Sequence, residues 1–255
     1  AAESLFHIGS LPVTNAMVNA WIALAFFVGV AGAIRSRITR IPRGIQNVAE
    51  LILEKLLDFF DQVTHEREKS ERFLPFVGTL FFFILFSNWI GILPGIGSIG
   101  MWLRVHGGVE LVPLFRPANS DLNMTLAMGV LAVTLSHVFG IVAIGFFKYI
   151  GKFIQLGHIF HSIKKGPVAI LTALIEFFVG LLEIISECAK MISLSLRLFG
   201  NIFAGEVLLT VMAGLIAFLV PVPFMALELI VGIVQAMVFA LLTLVYLTVA
   251  TSEPH

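Results

Sequence analysis

The sequence predicts an all-α polytopic membrane protein, and three observations predict it. Of its 255 residues, 58% are hydrophobic and only 13% are charged, with a mean hydropathy of +1.01; soluble domains carry roughly 25% charged residues. Several apolar runs exceed the roughly 18 residues that mark a membrane span. The basic residues between those runs gather on alternate turns of the chain. A water-soluble globule is excluded, and residues 1–255 are expected to form a single membrane domain. The one cysteine, Cys188, excludes an internal disulfide, and no His/Cys cluster has metal-ligand spacing, so neither a metal nor a cofactor is expected. Zero formal net charge gives no electrostatic case for nucleic acid.

The first apolar stretch, about 13–34, is long enough to cross a bilayer, and Arg35, Arg37, Arg40 and Arg43 follow it at once. Those arginines predict a cytoplasmic C-terminal end for this helix and an external N-terminus. A cleaved signal peptide carries its positive charges before the apolar run, so this one reads as an anchor. From 44 to 70, Ile45, Val48, Ile52, Leu56, Phe60 and Val63 recur at three and four residues, with Glu50, Glu54, Asp58 and Asp61 between them. That spacing predicts an amphipathic helix along the cytoplasmic surface. Its acidic polar face favours packing on the rest of the protein over simple lipid binding.

A second span is expected over 73–93, stopped by Pro94 and Gly95, with a glycine-rich external loop reaching Pro117. Ser120 or Asp121 then caps a third span, 122–147, which closes a transmembrane hairpin. Lys148, Lys152, Lys164 and Lys165 fall in one polar connection. Beyond Gly166 and Pro167 the sequence is apolar over 167–214 and again, past Pro221 and Pro223, over 222–251. About 20 residues suffice for a perpendicular span, so these predict two long tilted helices forming an antiparallel pair. Residues 35–72 hold eight Lys and Arg, residues 148–165 four, and the external loop two, which fits a cytoplasmic C-terminus.

Lys190 and Arg197 lie inside apolar sequence. Glu176, Glu183, Glu187, Lys190 and Arg197 fall within a stripe of roughly 80° on one helix face. A lipid-facing stripe is excluded, because each charge at bilayer depth costs about 2.5–3.5 kcal/mol or more. An ion-pair ladder, with Lys190 against Glu183 or Glu187, explains its first part. Arg197 has no acid three or four residues away and does not deprotonate. It needs an anion from elsewhere, or else ties to backbone carbonyls or a headgroup. Asn201, Glu206, Glu228 and Gln235 follow, and their spacing in an antiparallel pair sets Arg197 beside Gln235 and Glu206 beside Glu228, about a turn near 216 or 217. Two carboxylates held close in low dielectric cannot both ionise easily, so Glu206 and Glu228 would share a proton. Taken singly, each reads as a solvated or capped terminal residue. Arg197 and Glu206, nine residues apart, stand on opposite faces and cannot serve one compact site. His137 reads as a buried, hydrogen-bonded histidine rather than a relay, and Gly200 and Gly205 as close-packing positions.

The segment Ser193-Leu-Ser-Leu-Arg197-Leu-Phe-Gly-Asn201-Ile-Phe-Ala-Gly-Glu206, followed by Gln235-Ala-Met-Val-Phe-Ala-Leu-Leu-Thr-Leu-Val-Tyr246, closely resembles the subunit a family of bacterial F-type ATP synthases. The helix order is similar along almost the whole chain. The resemblance implies a non-catalytic, ion-translocating subunit of the bacterial inner membrane, with the proton as the expected ion. It implies that Arg197 is the family's stator arginine facing a carboxylate of the rotating c-subunit ring. It gives Glu206 and Glu228 a relay in the outer half-channel, Glu183 a place in the inner one, and Asn201 and Gln235 the role of polar neighbours of Arg197. Glu228 stands where some members carry histidine, and Asp121 lies in a segment that resembles an outer-channel entry, although helix capping is its stronger reading. The implied partners are the c ring, the b subunits of the peripheral stalk, the other ATP synthase subunits and the lipid bilayer. Two rivals from other classes are a secondary transporter, which commonly shows internal repeats absent here, and a non-conducting membrane scaffold, which leaves the membrane-depth charges unexplained.

Overall fold

A computed structural model describes residues 4–9, 11–36, 38–93, 99–105, 108–153, 167–215 and 220–252. Seven α-helices appear among them: α1 (Asn15–Arg35), α2 (Ile45–Thr64), α3 (Arg67–Ile90), α4 (Leu122–Ile144), α5 (Phe146–Phe153), α6 (Pro167–Leu215) and α7 (Pro221–Thr251). Five of these, all but α2 and α5, contain stretches long and apolar enough to cross a membrane. The protein is thus an all-α polytopic membrane protein at membrane depth, as its composition dictates.

Two short antiparallel hairpins lie outside that pattern: β1 (Ser4–Ile8) with β2 (Leu11–Thr14), and β3 (Gly100–Val105) with β4 (Gly108–Pro113). The second occupies the region read from sequence as a glycine-rich external loop. The Met101–Val105 and Val109–Val112 runs, rich in β-branched and other apolar residues, supply the strands.

Helix boundaries follow local chemistry. Thr14 accepts from Met17 N and starts α1. The amphipathic helix ends at Thr64 rather than near 70, because His65 takes a left-handed conformation (φ 56°). The Thr64 and Ser70 hydroxyls bond across this break at 2.6 Å. Arg67 reaches back to Asp61 at 2.9 Å. The charged run 67–72 is therefore the first part of the next span, which begins at Arg67 and not at Phe73. Asp121 is the cap of α4, accepting from Asn123 N, so capping is what its side chain does. Gly145, at φ 95°, ends α4 at Ile144 and redirects the chain into α5, short of the expected 147. The expected stops at Pro94 and Gly95, the connection through Lys164 and Lys165, and the turn at 216 or 217 lie outside the described residues.

Helices α3, α4, α6 and α7 surround one apolar core, contributed by Phe73, Val77 and Ile84, by Ala132 and Val133, by Leu194 and Leu198, and by Ala236, Phe239 and Leu244. Association inside a bilayer has no hydrophobic drive and depends on close van der Waals contact. Gly129 shows how close: a Cβ there would sit 2.8 Å from the Met191 carbonyl and overlap the Ser195 side chain. The C-terminal half of α2 joins this core through Leu56 and Phe60. Helix α1 is held to α3 by stacking of Phe26 on Phe86, with ring centroids 4.5 Å apart. At 49 residues, α6 is about 73 Å long, well over twice the roughly 30 Å hydrocarbon core, so it must run inclined.

Candidate functional site

Helices α6 and α7 run antiparallel. Asn201 Nδ2 donates to Gln235 Oε1 at 2.6 Å, and Glu228 packs onto Gly205. Gly205 is what admits the Glu228 carboxyl, since any side chain there would overlap it. The register is offset by one helical turn from the sequence expectation for Arg197, since Gln235 meets Asn201 instead. Arg197 itself is exposed and makes no ion pair or hydrogen bond among the described residues. It shares the uncovered side of α6 with the small residues Ser193, Gly200 and Ala204. Leu194, Leu198 and Ile202 point the other way into the core.

Two polar clefts flank this region. One, about 270 Å³ and named the outer cleft after the half-channel expected from sequence, is bordered by Asn88, Arg116, Glu206, Thr210 and Glu228. Glu206 and Glu228 therefore do share a cleft, but as unequal members. Arg116 Nε lies 2.7 Å from Glu206 Oε1, and Nη2 donates to Oε2 at 2.9 Å. Both side chains are largely shielded, so this is an ion pair reinforced by a charge-assisted hydrogen bond through Nη2. The sequence reading gave Glu206 a carboxylate partner; the structure gives it a guanidinium. Glu228 is buried, with no basic partner among the described residues.

Arg116 is aimed by a polar lock. Asn19 Nδ2 donates to the Arg116 carbonyl at 2.8 Å, and Asn119 Nδ2 donates to Asn88 Oδ1 at 2.6 Å and to the Ile84 carbonyl at 3.3 Å. Asn88 in turn donates to the Gly232 carbonyl. The segment before α4 is thereby tied to α1, α3 and α7.

The inner cleft, about 30 Å³, has room for one or two waters and is lined by His137, Tyr149, Glu183, Glu187, Lys190 and Tyr246. Lys190 Nζ donates to Glu187 Oε1 at 2.6 Å and sits 5.0 Å from the Tyr246 ring centroid. Of the two acids open to Lys190 from sequence, Glu187 is the one it meets. His137 is hydrogen-bonded, as expected: Nδ1 and the Tyr149 hydroxyl are 2.7 Å apart, and Nε2 is 3.6 Å from Glu187 Oε2. The Tyr149 phenol is pushed up to about 12 by burial first and then by the negative charges of Glu187 and Glu183. It keeps its proton across the physiological range and can donate to Nδ1. A raised folded-state pKa favours the neutral phenol, so this contribution to stability is intact below pH 10, the free-phenol value, and is lost as pH climbs towards 12. Spectrophotometric titration should show one of the two tyrosines ionising near pH 12, and Tyr149→Phe should remove that step; ionisation of both near pH 10 would contradict the packing. Glu176 lies on α6, but its side chain is outside the described residues.

From Lys190 to Glu206 is sixteen residues, about 24 Å along α6. Between the clefts lie Leu194, Leu198, Ala132, Val133, Ala236 and Phe239, all buried and apolar. Two polar clefts at opposite ends of one helix pair, with buried apolar side chains between, thus bracket a cation on the open face.

The ATP synthase A chain family profile matches residues 16–248. The chain belongs to the ATP synthase A chain family. Its curated relatives include ATP synthase subunit a of Moorella thermoacetica, 32% identical over 243 residues, covering 95% of this chain and 93% of that one. Subunit a 1 of Syntrophotalea carbinolica is 32% identical over 253 residues, covering 99% and 91%. Subunit a of Syntrophobacter fumaroxidans is 33% identical over 237 residues, covering 92% and 83%. The resemblance read from the Arg197 and Gln235 segments is borne out over nearly the full length. Membership makes the chain a non-catalytic, membrane-embedded subunit of an F-type ATP synthase.

Arg116 was missed as a site residue, although a signal was present. Glu206, like Arg197, has no opposite charge three or four residues away, and that argues for a partner from another segment.

Proposed function

We propose that the chain translocates protons as subunit a of the F-type ATP synthase, with the outer and inner clefts serving as two offset half-channels against a rotating c ring. The observation that supports this most is the pair of polar clefts separated by buried apolar side chains, with exposed Arg197 between them on a face of small residues. Small residues let another helix approach closely. The anion that Arg197 lacks among the described residues is then a ring carboxylate.

A proton entering the outer cleft passes by Glu228, which has no basic partner among the described residues, while Glu206 is anchored by Arg116. It neutralises a ring carboxylate, which can then enter lipid. After rotation, the carboxylate meets Arg197, whose fixed charge favours the ionised form, and the proton leaves through the cleft of Glu183, Glu187 and His137. Asn201 and Gln235, bonded to each other, hold α6 to α7 one turn from Arg197. Arg197 also repels protons that would pass directly between the clefts. The membrane potential supplies about 2.3 kcal/mol per charge per 100 mV, and the offset of the clefts turns that into rotation. The basic residues at 35–72 support an orientation with α2 on the cytoplasmic side, the N-terminus outside and the C-terminus inside, in the bacterial plasma membrane. The b subunits of the peripheral stalk hold the chain static.

Co-expressed with the c and b subunits, the chain should copurify with an intact c ring, and vesicles bearing the assembled enzyme should acidify on adding ATP. A chain that stays free of the ring and takes up a solute alone would favour the transporter reading.

A further inference from the structure

Helices α1, α2 and α3 line an open groove of about 590 Å³ that the ion path does not use, within the roughly 300–1,000 Å³ range of ligand sites. Phe27 and Ile34 of α1, Ile45 and Ile52 of α2, and Leu74 and Phe82 of α3 line it. Its one polar lining side chain, Thr79, turns its hydroxyl onto the Pro75 carbonyl, so the wall asks for an apolar occupant. Helix α2 is packed over only half its length: Leu56 and Phe60 are buried, while Ile45 and Val48 on the same apolar stripe are 71% and 55% exposed.

The flanking sequence has a different chemistry. Arg35 directly follows the lining residue Ile34, and Arg40 and Arg43 shortly precede the lining residue Ile45; all three are exposed and none is in an ion pair among the described residues. The depth is also bounded. From Ile34 to Leu24, both lining residues, is about 15 Å along α1, half the hydrocarbon thickness. The Phe26–Phe86 stack, with Phe27 against the same ring, joins α1 to α3 at that level. A spanning helix from another subunit needs a groove through the full bilayer; an acyl chain needs only one leaflet.

We infer that this groove binds one anionic phospholipid, its acyl chain between α1, α2 and α3 and its phosphate on Arg35, Arg40 and Arg43. The assignment to the cytoplasmic leaflet rests on the orientation proposed above; the site itself does not. The occupant completes the apolar face that α2 leaves uncovered, and fastens α1 to the body of the subunit.

The test uses the assembled ATP synthase, stripped of lipid and titrated with phosphatidylglycerol or phosphatidylcholine bearing a spin-labelled acyl chain. The expected result is an immobilised component for phosphatidylglycerol at least about tenfold tighter than for phosphatidylcholine. The combined Arg35→Gln, Arg40→Gln and Arg43→Gln variant should weaken it about a hundredfold, each arginine near a membrane surface adding roughly one kcal/mol. Ala49→Phe should abolish it by filling the groove from α2, and Ala31→Phe does the same from α1 should the first fail to assemble. Equal binding of the two lipids, or binding indifferent to the arginines, would mean ordinary boundary lipid and overturn the site. So would a photo-crosslinker at Ala49 that captures another subunit instead of lipid. None of these outcomes depends on proton transport, so the lipid site can fail while the function stands.

Discussion

Arg197→Ala abolishes coupled ATP synthesis, by at least about a hundredfold, while leaving or raising passive proton leak through the membrane sector. The magnitude follows from the charge: a guanidinium at this depth represents about 2.5–3.5 kcal/mol of electrostatic work that the ring carboxylate must offset, and 1.4 kcal/mol is a factor of ten. The leak follows from geometry. The buried apolar layer of Leu194, Leu198 and Phe239 packs α6 against α4 and α7, but among the described residues only the charge of Arg197 guards the open face on which it stands. Arg197→Lys should also fail, since an ammonium in low dielectric can give up its proton and a guanidinium does not. ATP synthesis and ATP-driven pumping in inverted vesicles measure both effects; near-normal coupling in Arg197→Ala would remove the arginine from the mechanism.

The second large effect belongs to the Arg116–Glu206 pair. Glu206→Leu leaves a shielded guanidinium unpaired, and Arg116→Leu leaves a shielded carboxylate. Breaking one side of a fully buried pair costs about 3–5 kcal/mol, and these side chains, 16% and 27% exposed, should lose about 2 kcal/mol each. Replacing both by leucine should recover most of that stability, because no uncompensated charge remains. The double variant should still slow proton entry from the outer side, since the cleft loses its polar wall beside Glu228. Thermal unfolding in detergent gives the double-mutant cycle, and pumping rates give the transport effect. Additive losses in the double variant would show that the two side chains act independently.

The fold was legible because bilayer physics writes itself into composition. Uninterrupted apolar length marked all five spans, and Arg35 to Arg43 and Asp121 marked ends that the helices keep within a few residues. Local conformation was less visible. His65 in the left-handed region and Gly145 at φ 95° set boundaries that hydropathy cannot register, since neither changes the apolar pattern. The β3–β4 hairpin was hidden for the opposite reason: its glycines read as loop, while the strands between them are too short to show a period.

The site was legible in its members and less so in its pairings. Index arithmetic brought Glu206 and Glu228 to one cleft and Gln235 to α6. It could not fix rotation about the axis, and one helical turn moved Gln235 from Arg197 to Asn201. Glu206 was matched to the wrong partner because Arg116 precedes α4 and entered the argument only as an external positive charge. Tyr149 was passed over because α5 is too short to announce itself, yet its hydroxyl orients His137.

The claim on which the account turns is that the two clefts are wet, open to opposite sides and separated at Arg197. Thr210 borders the outer cleft and Val249 the inner one, and neither bears charge. In the assembled enzyme with Cys188→Ser, a membrane-impermeant thiol reagent should modify Thr210→Cys only from outside and Val249→Cys only from the cytoplasm. Labelling of either position from both sides, or of neither from any side, would contradict it.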